Sequence, residues 1–425
     1  MSGEDLIKKE EARARRRRRR KREQRFYTFI VILFVLLIAG GVFFGYVILS
    51  GNNPLAFLFD LNAGGQSAQN VQMQERDRET TLSDVEVQTR TEQILAQMTL
   101  EEKVSALFIL PFDTLSGELN AQKATKVTKR GLESYSVSGV IFNSGNVQSK
   151  KQLMSMLSDT RQYAKYPILM FFEENGGAQN AVAVAMEETS SVAAPGVIAQ
   201  NNNPTQAFEA GKTIGAYLYA AGFDVNLSPI ANISSGDESY IYSADPQTAF
   251  NMSTSMLNGL KEAGMFTCTG RFPVLTGEDP GGMQGISSVN TSLNDLRSSF
   301  FLPFGGCISA GTDMIMMSSI QLPRALSAST PATLSDKLVT DILRGELGYT
   351  GVVVSAPLNQ MNIVRGYTPD NAAVTAILAG VDLLYAAEDF EMAYQGIMTA
   401  LSTGVLTEER INESLMRILK LSCQK

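Results

Sequence analysis

The chain has 425 residues, of which 44% are hydrophobic, so it is long and apolar enough to form a large globular domain. It contains no histidine, which excludes Ser-His-Asp and Cys-His catalytic machinery and imidazole metal ligands. The three scattered cysteines, Cys268, Cys307 and Cys423, are too few for a disulfide framework or a zinc cluster. We therefore expect neither a cofactor nor a metal, and we expect the cysteines to be buried thiols.

The formal net charge of -7 is distributed unevenly along the chain. Residues 1–25 hold twelve basic and five acidic residues, whereas the remainder holds 24 basic and 38 acidic residues. An acidic body repels phosphate backbones, so we expect no nucleic-acid partner.

The basic run from Arg15 to Arg22 ends just before an uncharged apolar segment, residues 26–50. At about 1.5 Å per residue this segment is long enough to cross a bilayer as one helix. Because Lys and Arg stay on the cytoplasmic side, we expect residues 1–25 in the cytoplasm, a transmembrane helix over 26–50, and everything after it outside the cell membrane. A cleaved signal peptide is the alternative, but the apolar stretch is long for the core of a signal peptide and no clean small-x-small cleavage site follows it.

The next segment, residues 51–90, is rich in Asn, Gln, Ser, Thr and charged residues and has little apolar periodicity. Such a segment buries too little surface to fold alone. We expect it to be a flexible extracytoplasmic stalk, followed by one folded domain over 91–425.

Eight short apolar runs, separated by longer helical patterns, follow the stalk. They are SALFIL, VSGVIFN, PILMFFE, FDVNLSPI, MFTCTGRF, MIMMSSI, GVVVSA and VDLLYA. Apolar runs that alternate with amphipathic helices predict a parallel sheet covered by helices, and eight such units predict a closed α/β fold, the TIM-type (β/α)8 barrel. A doubly wound open sheet is the alternative, but no Gly-rich phosphate loop follows the first strand.

Three polar residues mark the expected starts of helices. Thr99, Ser335 and Thr407 each precede a helical pattern that carries acidic residues near its beginning. Gly348 is the expected stop of the second of these helices. These are structural signals, and we assign them no catalytic role.

Seven segments in chain order carry a resemblance to a known family. They are MTLEEKVSALF, VSGVIFNSGNV with QLMSMLSDTRQYAKYPILMF, the Glu-Asn-Gly-Gly of FFEENGGAQ, AGFDVNLSPIANI, the RFP of TGRFPVLTGEDPGG, ATLSDKLVTDILRGELGYTGVVVS, and ILAGVDLLY with LTEERINESLMRIL. Together, over residues 92–422, they resemble the N-terminal barrel domain of glycoside hydrolase family 3, in particular the single-domain β-N-acetylhexosaminidase type. The resemblance implies a carbohydrate site at the C-terminal ends of the barrel strands.

The residues that the resemblance places in the catalytic roles are replaced. Family members use an Asp nucleophile at the end of the seventh strand, where this chain has Ala356. Their general acid/base lies on the loop after strand five, where counting from Phe272 gives Gly281 and Met283. None of these side chains attacks an anomeric carbon or transfers a proton, so the sequence predicts a pseudoenzyme.

Several sugar-binding positions of the family also differ. Where the family has Lys-His this chain has Gly270 and Arg271, and Ala178 replaces an Arg. The other replacements are Glu173 for a strand-three Asp, Asn232 for a strand-four Asp, Tyr240 for an Arg and Ser319 for a His. Two interpretations of Arg271 remain open. Its guanidinium either donates bidentate hydrogen bonds to a ligand carboxylate or phosphate, or holds an acidic residue at the barrel mouth.

Four acidic residues near the expected barrel mouth are the weak candidates for remaining chemistry. Glu173 and Glu174 lie at a strand end beside a Gly-Gly turn. The functional interpretation makes them acceptors for sugar hydroxyl groups or a relocated nucleophile. The alternative is a charge at a helix N-terminus or in a solvated loop. Glu278 and Asp279 lie on the loop that carries the family's general acid. In the functional interpretation their surroundings separate the pKa values of the two carboxyl groups, so that one can act as an acid. The alternative is that both are simply hydrated loop residues.

Three functions of different classes follow from the sequence. The leading hypothesis is an inactive family-3-like barrel outside the cell membrane that binds carbohydrate, such as a peptidoglycan fragment, or acts as a scaffold at the cell wall. The second is an active β-N-acetylhexosaminidase with relocated carboxylates. The third is an inert structural membrane protein. Fold resemblance alone does not separate them, because function resides in the site.

Overall fold

A computed structural model describes residues 83–178, 180–188, 191–234, 240–275, 287–385 and 389–425. The predicted cytoplasmic segment, transmembrane helix and most of the predicted stalk lie outside these residues. Within the described part of the chain, no helix is both long enough and apolar enough to cross a membrane.

The fold is built on eight parallel strands, one for each apolar run predicted from the sequence. Their bounds are β1 Phe108–Pro111, β2 Gly139–Ile141, β3 Leu169–Phe172, β4 Val225–Asn226, β5 Phe266–Phe272, β6 Met314–Met317, β7 Val352–Val354 and β8 Leu384–Tyr385. They pair in the order β7-β6-β5-β4-β3-β2-β1-β8. Every sequential neighbour from β1 to β7 is paired in parallel, as a barrel built from βα units requires.

Contacts between the two ends of this sheet bring its strands into a ring. A parallel bridge joins Val354 to Leu383, the residue just before β8. The Ser355 N–H donates to the Leu383 carbonyl at 2.9 Å, and the Leu383 N–H donates to the Val353 carbonyl at 3.0 Å. The predicted TIM-type barrel is therefore confirmed over the open-sheet alternative.

Helices separate the strands along the chain. The longer ones are Asp84–Gln97, Lys126–Ser134, Lys150–Tyr163, Pro204–Ala221, Pro246–Glu262, Phe301–Ser309, Pro369–Ala379, Phe390–Ser402 and Glu408–Ser422, with a wider, π-type helix at Lys337–Glu346. Short helical segments are Leu100–Ser105, Phe112–Ser116, Ser144–Asn146, Ala181–Ala185, Pro195–Ala199, Leu293–Asp295, Leu296–Phe300, Pro323–Leu326, Ala332–Leu334 and Met361–Val364.

The predicted caps lie at the helix starts. Thr99 forms a capping box with Glu102 at the start of Leu100–Ser105, and the Thr407 side chain accepts from the Arg410 N–H. The Ser335 hydroxyl accepts from the Leu338 N–H at 3.4 Å, ahead of Lys337–Glu346. These side chains satisfy N–H groups that have no partner within the helix, which explains why the elements begin there.

The helix Asp84–Gln97 lies partly inside the segment 51–90 that the sequence predicted as a stalk. Ser83 and Glu86 form a capping box at the start of the helix Asp84–Gln97, which buries Val87 and Thr91 and contacts the C-terminal helix Glu408–Ser422. The missed signal is the S-x-x-E pattern of this capping box, which is hidden in a polar stretch.

The barrel core consists of the inward side chains of the strands and the helix faces that cover them. Phe108, Ile109, Phe171 and Phe272 are fully buried, as are Cys268, Cys307 and Cys423, which are free thiols as predicted. Burial raises the pKa of Cys268 to about 12 and that of Cys307 to about 11. Thiols in such surroundings are unreactive.

The buried carboxylate of Asp382, two residues before β8, bonds to β7 and to two of the helices that cover the barrel. It is fully buried, and it accepts from the Val353 N–H at 2.9 Å and from the Ser414 hydroxyl at 2.8 Å. Arg344 contacts it at 2.6 Å and Arg417 at 2.9 Å. A carboxylate removed from water is stable only when it is paired and hydrogen-bonded in this way.

We expect Asp382→Asn to destabilise the domain, because it removes the charge that pairs with three partly buried arginines, Arg344, Arg410 and Arg417. Breaking one side of a buried ion pair costs about 3 kcal/mol or more in the free energy of unfolding. Chemical denaturation measures this loss. The matched control is Glu133→Gln in the exposed Lys129–Glu133 pair, where the change should stay within about 0.5 kcal/mol. Equal effects of the two substitutions would contradict the assigned role of Asp382.

Candidate functional site

Four residues at or near the C-terminal ends of barrel strands define the candidate site. Glu173 directly follows β3, Arg271 is the second-last residue of β5, Ala356 comes two residues after β7, and Tyr385 ends β8. In a parallel barrel these ends share one rim, which is where (β/α)8 proteins carry their sites.

The predicted candidates Glu173 and Arg271 form an ion pair across this rim. The Arg271 Nη2 donates to the Glu173 Oε2 at 3.0 Å, and the Arg271 Nη1 contacts the sulfur of Met316 on β6. The side chain of Arg271 is 16% exposed and that of Glu173 is 38% exposed. This pair is the geometry expected if Arg271 holds an acidic residue at the barrel mouth, and its binding to a ligand carboxylate or phosphate stays a prediction.

Asn232 holds the backbone of Arg271. Its Oδ1 accepts from the Arg271 N–H at 2.6 Å, and its Nδ2 donates to the Arg271 carbonyl at 2.8 Å. Asn232 is 2% exposed, so its amide is used inside the protein rather than presented to a ligand. Its role is to position Arg271, which a sequence pattern alone does not indicate.

Tyr385 is a rim residue that the sequence did not single out as a candidate. Burial raises the pKa of its hydroxyl to about 12, and the charges of Arg271 and Glu173 act on the same group in opposite directions. The hydroxyl is therefore neutral at physiological pH and lies within electrostatic reach of the ion pair. The available signal was its position at the end of the run VDLLY.

The position that the resemblance assigns to the nucleophile holds a buried methyl group. Ala356 is fully buried, and its N–H donates to the Thr333 hydroxyl at 3.1 Å. No atom of this side chain can form a bond to an anomeric carbon.

The candidates Ser319 and Tyr240 lie in packed surroundings. Ser319 is 4% exposed, and its carbonyl accepts from Asn362 at 2.9 Å. The Asn362 side-chain amide also accepts from the Ser287 N–H and donates to the Ser287 carbonyl, so it fixes the backbone of Ser287. The half-buried Tyr240 packs against the apolar cluster of Ile230, Ile241 and Leu275.

Residues 276–286 include four of the positions singled out in the sequence. Glu278, Asp279, Gly281 and Met283 lie outside the described residues. Their assignment as weak catalytic candidates, or as replaced acid/base positions, stays a prediction.

Glu174 is adjacent to Glu173 in sequence but contacts different surroundings. Its backbone N–H and carbonyl are bonded to the side-chain amide of Asn226 on β4, at 3.0 and 2.9 Å. The residue is only 1% exposed, and it lines a pocket with residues of the segment 176–192 and with Tyr217. The interpretation of Glu174 as a solvated loop charge is therefore wrong, and the pairing with Asn226 is what sequence reasoning missed.

Burial raises the pKa of the Glu174 carboxyl to about 8, because the charged form loses its hydration, and the opposing hydrogen bond from the Gly176 N–H is long, at 3.4 Å. Glu174 Oε2 accepts no hydrogen bond. Burial therefore keeps this carboxyl protonated at neutral pH, but it lines a pocket with Tyr217 rather than pairing with Arg271.

In the part of the chain that the structure describes, no group of three or more acidic, cysteine or histidine side chains is arranged to hold a metal ion. The site thus consists of a charged pair and neutral polar groups at the barrel rim, with an adjacent carboxyl-lined pocket.

Comparison with known proteins identifies relatives of this arrangement. The sequence profile of the glycosyl hydrolase family 3 N-terminal domain matches residues 99–421. A β-hexosaminidase of Idiomarina loihiensis is 26% identical over 72% of this chain and 92% of its own length. The β-hexosaminidase A of Pseudoalteromonas piscicida is 25% identical over 68% of this chain. The chain spans only 53% of that protein and 58% of a similar Cellulomonas fimi β-N-acetylglucosaminidase/β-glucosidase.

Solved structures give the same picture. A glycoside hydrolase family 3 β-N-acetylglucosaminidase from a Paenibacillus species superposes with a TM-score of 0.67 at 26% identity, covering 77% of this chain and 62% of that one. A β-N-acetylhexosaminidase from Beutenbergia cavernae superposes with a TM-score of 0.66 at 19% identity, covering 77% of this chain and 99% of that one. At 19% identity the likeness supports the fold alone.

We expect the stability of the domain to depend on pH through Glu174. Between the ordinary pKa of 4.5 and the folded value of about 8, the unfolded chain has released the proton that the folded chain still holds. Stability contributed by the neutral carboxyl is thus complete below pH 4.5 and is lost as pH rises to about 8, by up to about 1.4 kcal/mol per pH unit.

Glu174→Gln removes this dependence, so its stability relative to the wild type should rise steadily from about pH 5 to about pH 7.5 in urea denaturation. Glu118→Gln, at an exposed site, is the control and should keep a constant difference. Parallel profiles for wild type and Glu174→Gln would show that the carboxyl is not held neutral.

Proposed function

We propose a function on the premise that this chain belongs to glycosyl hydrolase family 3, through the N-terminal domain of that family. The function is that of a membrane-anchored, extracytoplasmic barrel that binds carbohydrate at its rim and does not hydrolyse it. The family is named for glycoside hydrolysis, but whether this chain hydrolyses glycosides depends on the side chains in its own site.

The observation that carries the proposal is the buried Ala356 at the end of β7. Retaining hydrolysis of a glycoside needs one carboxylate to attack the anomeric carbon and a second carboxyl, about 5 to 5.5 Å away, to donate and recover a proton. A methyl group supplies neither. Glu173, a described acid at the same rim, is paired with Arg271 at 3.0 Å, which supports a binding role for this carboxylate.

The rim keeps groups that recognise hydroxyl and amide groups of sugars. Glu173 is the more exposed partner of its ion pair and can accept hydrogen bonds, while the Arg271 guanidinium donates them. Two of the relatives are named β-hexosaminidases, and the third is named a β-N-acetylglucosaminidase/β-glucosidase. An N-acetylglucosamine-containing glycan, such as a peptidoglycan fragment, is therefore the ligand class we propose.

The proposed location rests on the N-terminal sequence. Twelve basic residues precede an uncharged apolar stretch, residues 26–50, and this order favours a cytoplasmic N-terminus with the barrel outside the membrane. A barrel that is held close to a cell wall meets glycans at high local concentration, so weak binding would suffice there.

We expect the purified full-length protein to show no turnover of aryl N-acetyl-β-glucosaminide or aryl β-glucoside, because the attacking oxygen is missing. Release of the chromogenic alcohol measures this directly, with a family β-hexosaminidase as the positive control. Turnover that is lost in Glu173→Gln or Glu278→Gln would instead establish an active hexosaminidase with relocated carboxylates.

We also expect soluble N-acetylglucosamine oligomers or peptidoglycan fragments to bind with a measurable dissociation constant, and Arg271→Ala to weaken that binding at least about tenfold, the effect of losing one good charged hydrogen bond. Titration calorimetry measures both. The matched control is Arg297→Ala, which removes an exposed arginine paired with Glu346. Absence of binding by the wild type would favour an inert structural barrel.

A further inference from the structure

The pocket beside β3 combines features that the proposed carbohydrate site does not use. Its volume is about 110 Å³, and its lining includes the acids Glu174 and Glu188 and the oxygen-bearing side chains of Asn180, Ser191 and Tyr217. Pockets for small organic molecules are usually about 300 Å³ or larger, so this one suits a smaller occupant. About 110 Å³ is room for an ion with a few waters, since each water takes about 30 Å³ in the liquid.

The local sequence builds this pocket through a glycine turn. Gly176 and Gly177 have φ values of +85° and +80°, and the Gly177 N–H donates to the Val192 carbonyl at 2.9 Å. A Cβ on Gly176 would lie 2.6 Å from the Ala193 carbonyl oxygen, which leaves no room for a side chain. The turn therefore brings the segment after β3 back against residues 191–194 and forms one wall of the pocket.

The charge of the lining is one-sided. Glu174 and Glu188 contribute two carboxyl groups, and no Lys or Arg is among the described residues that line the pocket. Both acids line the same pocket as Tyr217, and burial raises the pKa of the Tyr217 hydroxyl, with the charges of the two carboxylates as smaller causes. Glu188 is exposed and Glu174 is buried, and a cation that enters beside them would displace the proton that burial keeps on Glu174 at neutral pH.

A second observation points to a ligand independently of the acids as a group. Glu174 is only 1% exposed, it lines the pocket, and its Oε2 accepts no hydrogen bond. Its other oxygen receives one long bond from the Gly176 N–H at 3.4 Å. Buried polar atoms in folded proteins nearly always have a partner, so an unpartnered carboxyl oxygen that lines a pocket indicates a group that binds there.

We propose that this pocket binds a hydrated divalent cation, held by Glu174 and Glu188 with neutral oxygens of Asn180 and Ser191. Ca²⁺ is the appropriate probe, because it takes six to eight oxygen ligands in flexible geometry and accepts carboxylates, amide oxygens and waters. The two carboxylates neutralise the charge of the ion, and waters in the remaining volume complete its coordination. The site would tie the start of the loop after β3, at Glu174, to the later residues Glu188 and Ser191, close to the carbohydrate rim but separate from it.

This site does not depend on the proposed function. A cation bound at Glu174 would stabilise the loop that follows Glu173 whether or not a glycan binds at Arg271. The two proposals therefore fail separately, and each has its own variants.

The test is a titration of the full-length protein with CaCl₂ after treatment with a chelator. We expect saturable binding of one ion per chain by calorimetry, together with a melting temperature that rises with Ca²⁺ concentration, since a ligand that binds only the folded state stabilises it. KCl at matched ionic strength should give neither response. Binding should weaken at least about tenfold in Glu174→Gln and in Glu188→Gln, because each removes a charged ligand.

Glu118→Gln is the matched control for the acidic body of the protein, which attracts cations diffusely, and it should bind Ca²⁺ like the wild type. Melting of each variant without added Ca²⁺ establishes that it is folded. Absence of saturable Ca²⁺ binding in the wild type would overturn the proposal. Binding that persists unchanged in the folded Glu174→Gln protein would overturn it as well.

Discussion

The structure depends on joining the last two strands of the barrel, and a buried carboxylate lies at that joint. Asp382 receives the Val353 N–H of β7 and the guanidinium groups of Arg344 and Arg417 from two different helices. Backbone hydrogen bonds between Val353, Ser355 and Leu383 join the same strands. Once the ring is formed, every strand end has a fixed place on one rim, and the side chains there are brought together from distant parts of the sequence.

At Ala356, on the rim of the barrel, the requirements of packing and of catalysis differ. The fold requires that Ala356 be buried and that its N–H be bonded to Thr333, and both conditions are met with a methyl side chain. Catalysis has a further requirement, an oxygen nucleophile, which contributes nothing to packing. Under the proposed function, fold and chemistry separate at this position, because the packing needs only the methyl group.

The general fold was predictable because its signals are local. Buried parallel strands are short continuous apolar runs, and all eight were found in the sequence, as were the caps at Thr99, Ser335 and Thr407. The helix Asp84–Gln97 was not predicted because it is polar on most of its surface and its capping box lies in a segment that resembles a linker. The site was predictable only in part, since its interactions join residues that are far apart in sequence. Glu173 and Arg271 were both candidates, but their pairing spans 98 positions, and burial of Glu174 follows from a contact with the neighbouring strand that only strand register defines.

The central claim is that this barrel retains the family architecture without an attacking carboxylate. Intact-mass spectrometry after incubation with activated fluorinated glycosides, which trap the covalent intermediate of retaining glycosidases, tests it most directly. We predict an unchanged mass, while a family β-hexosaminidase treated in parallel gains one glycosyl group. A glycosyl adduct on any rim residue of this protein would contradict the claim.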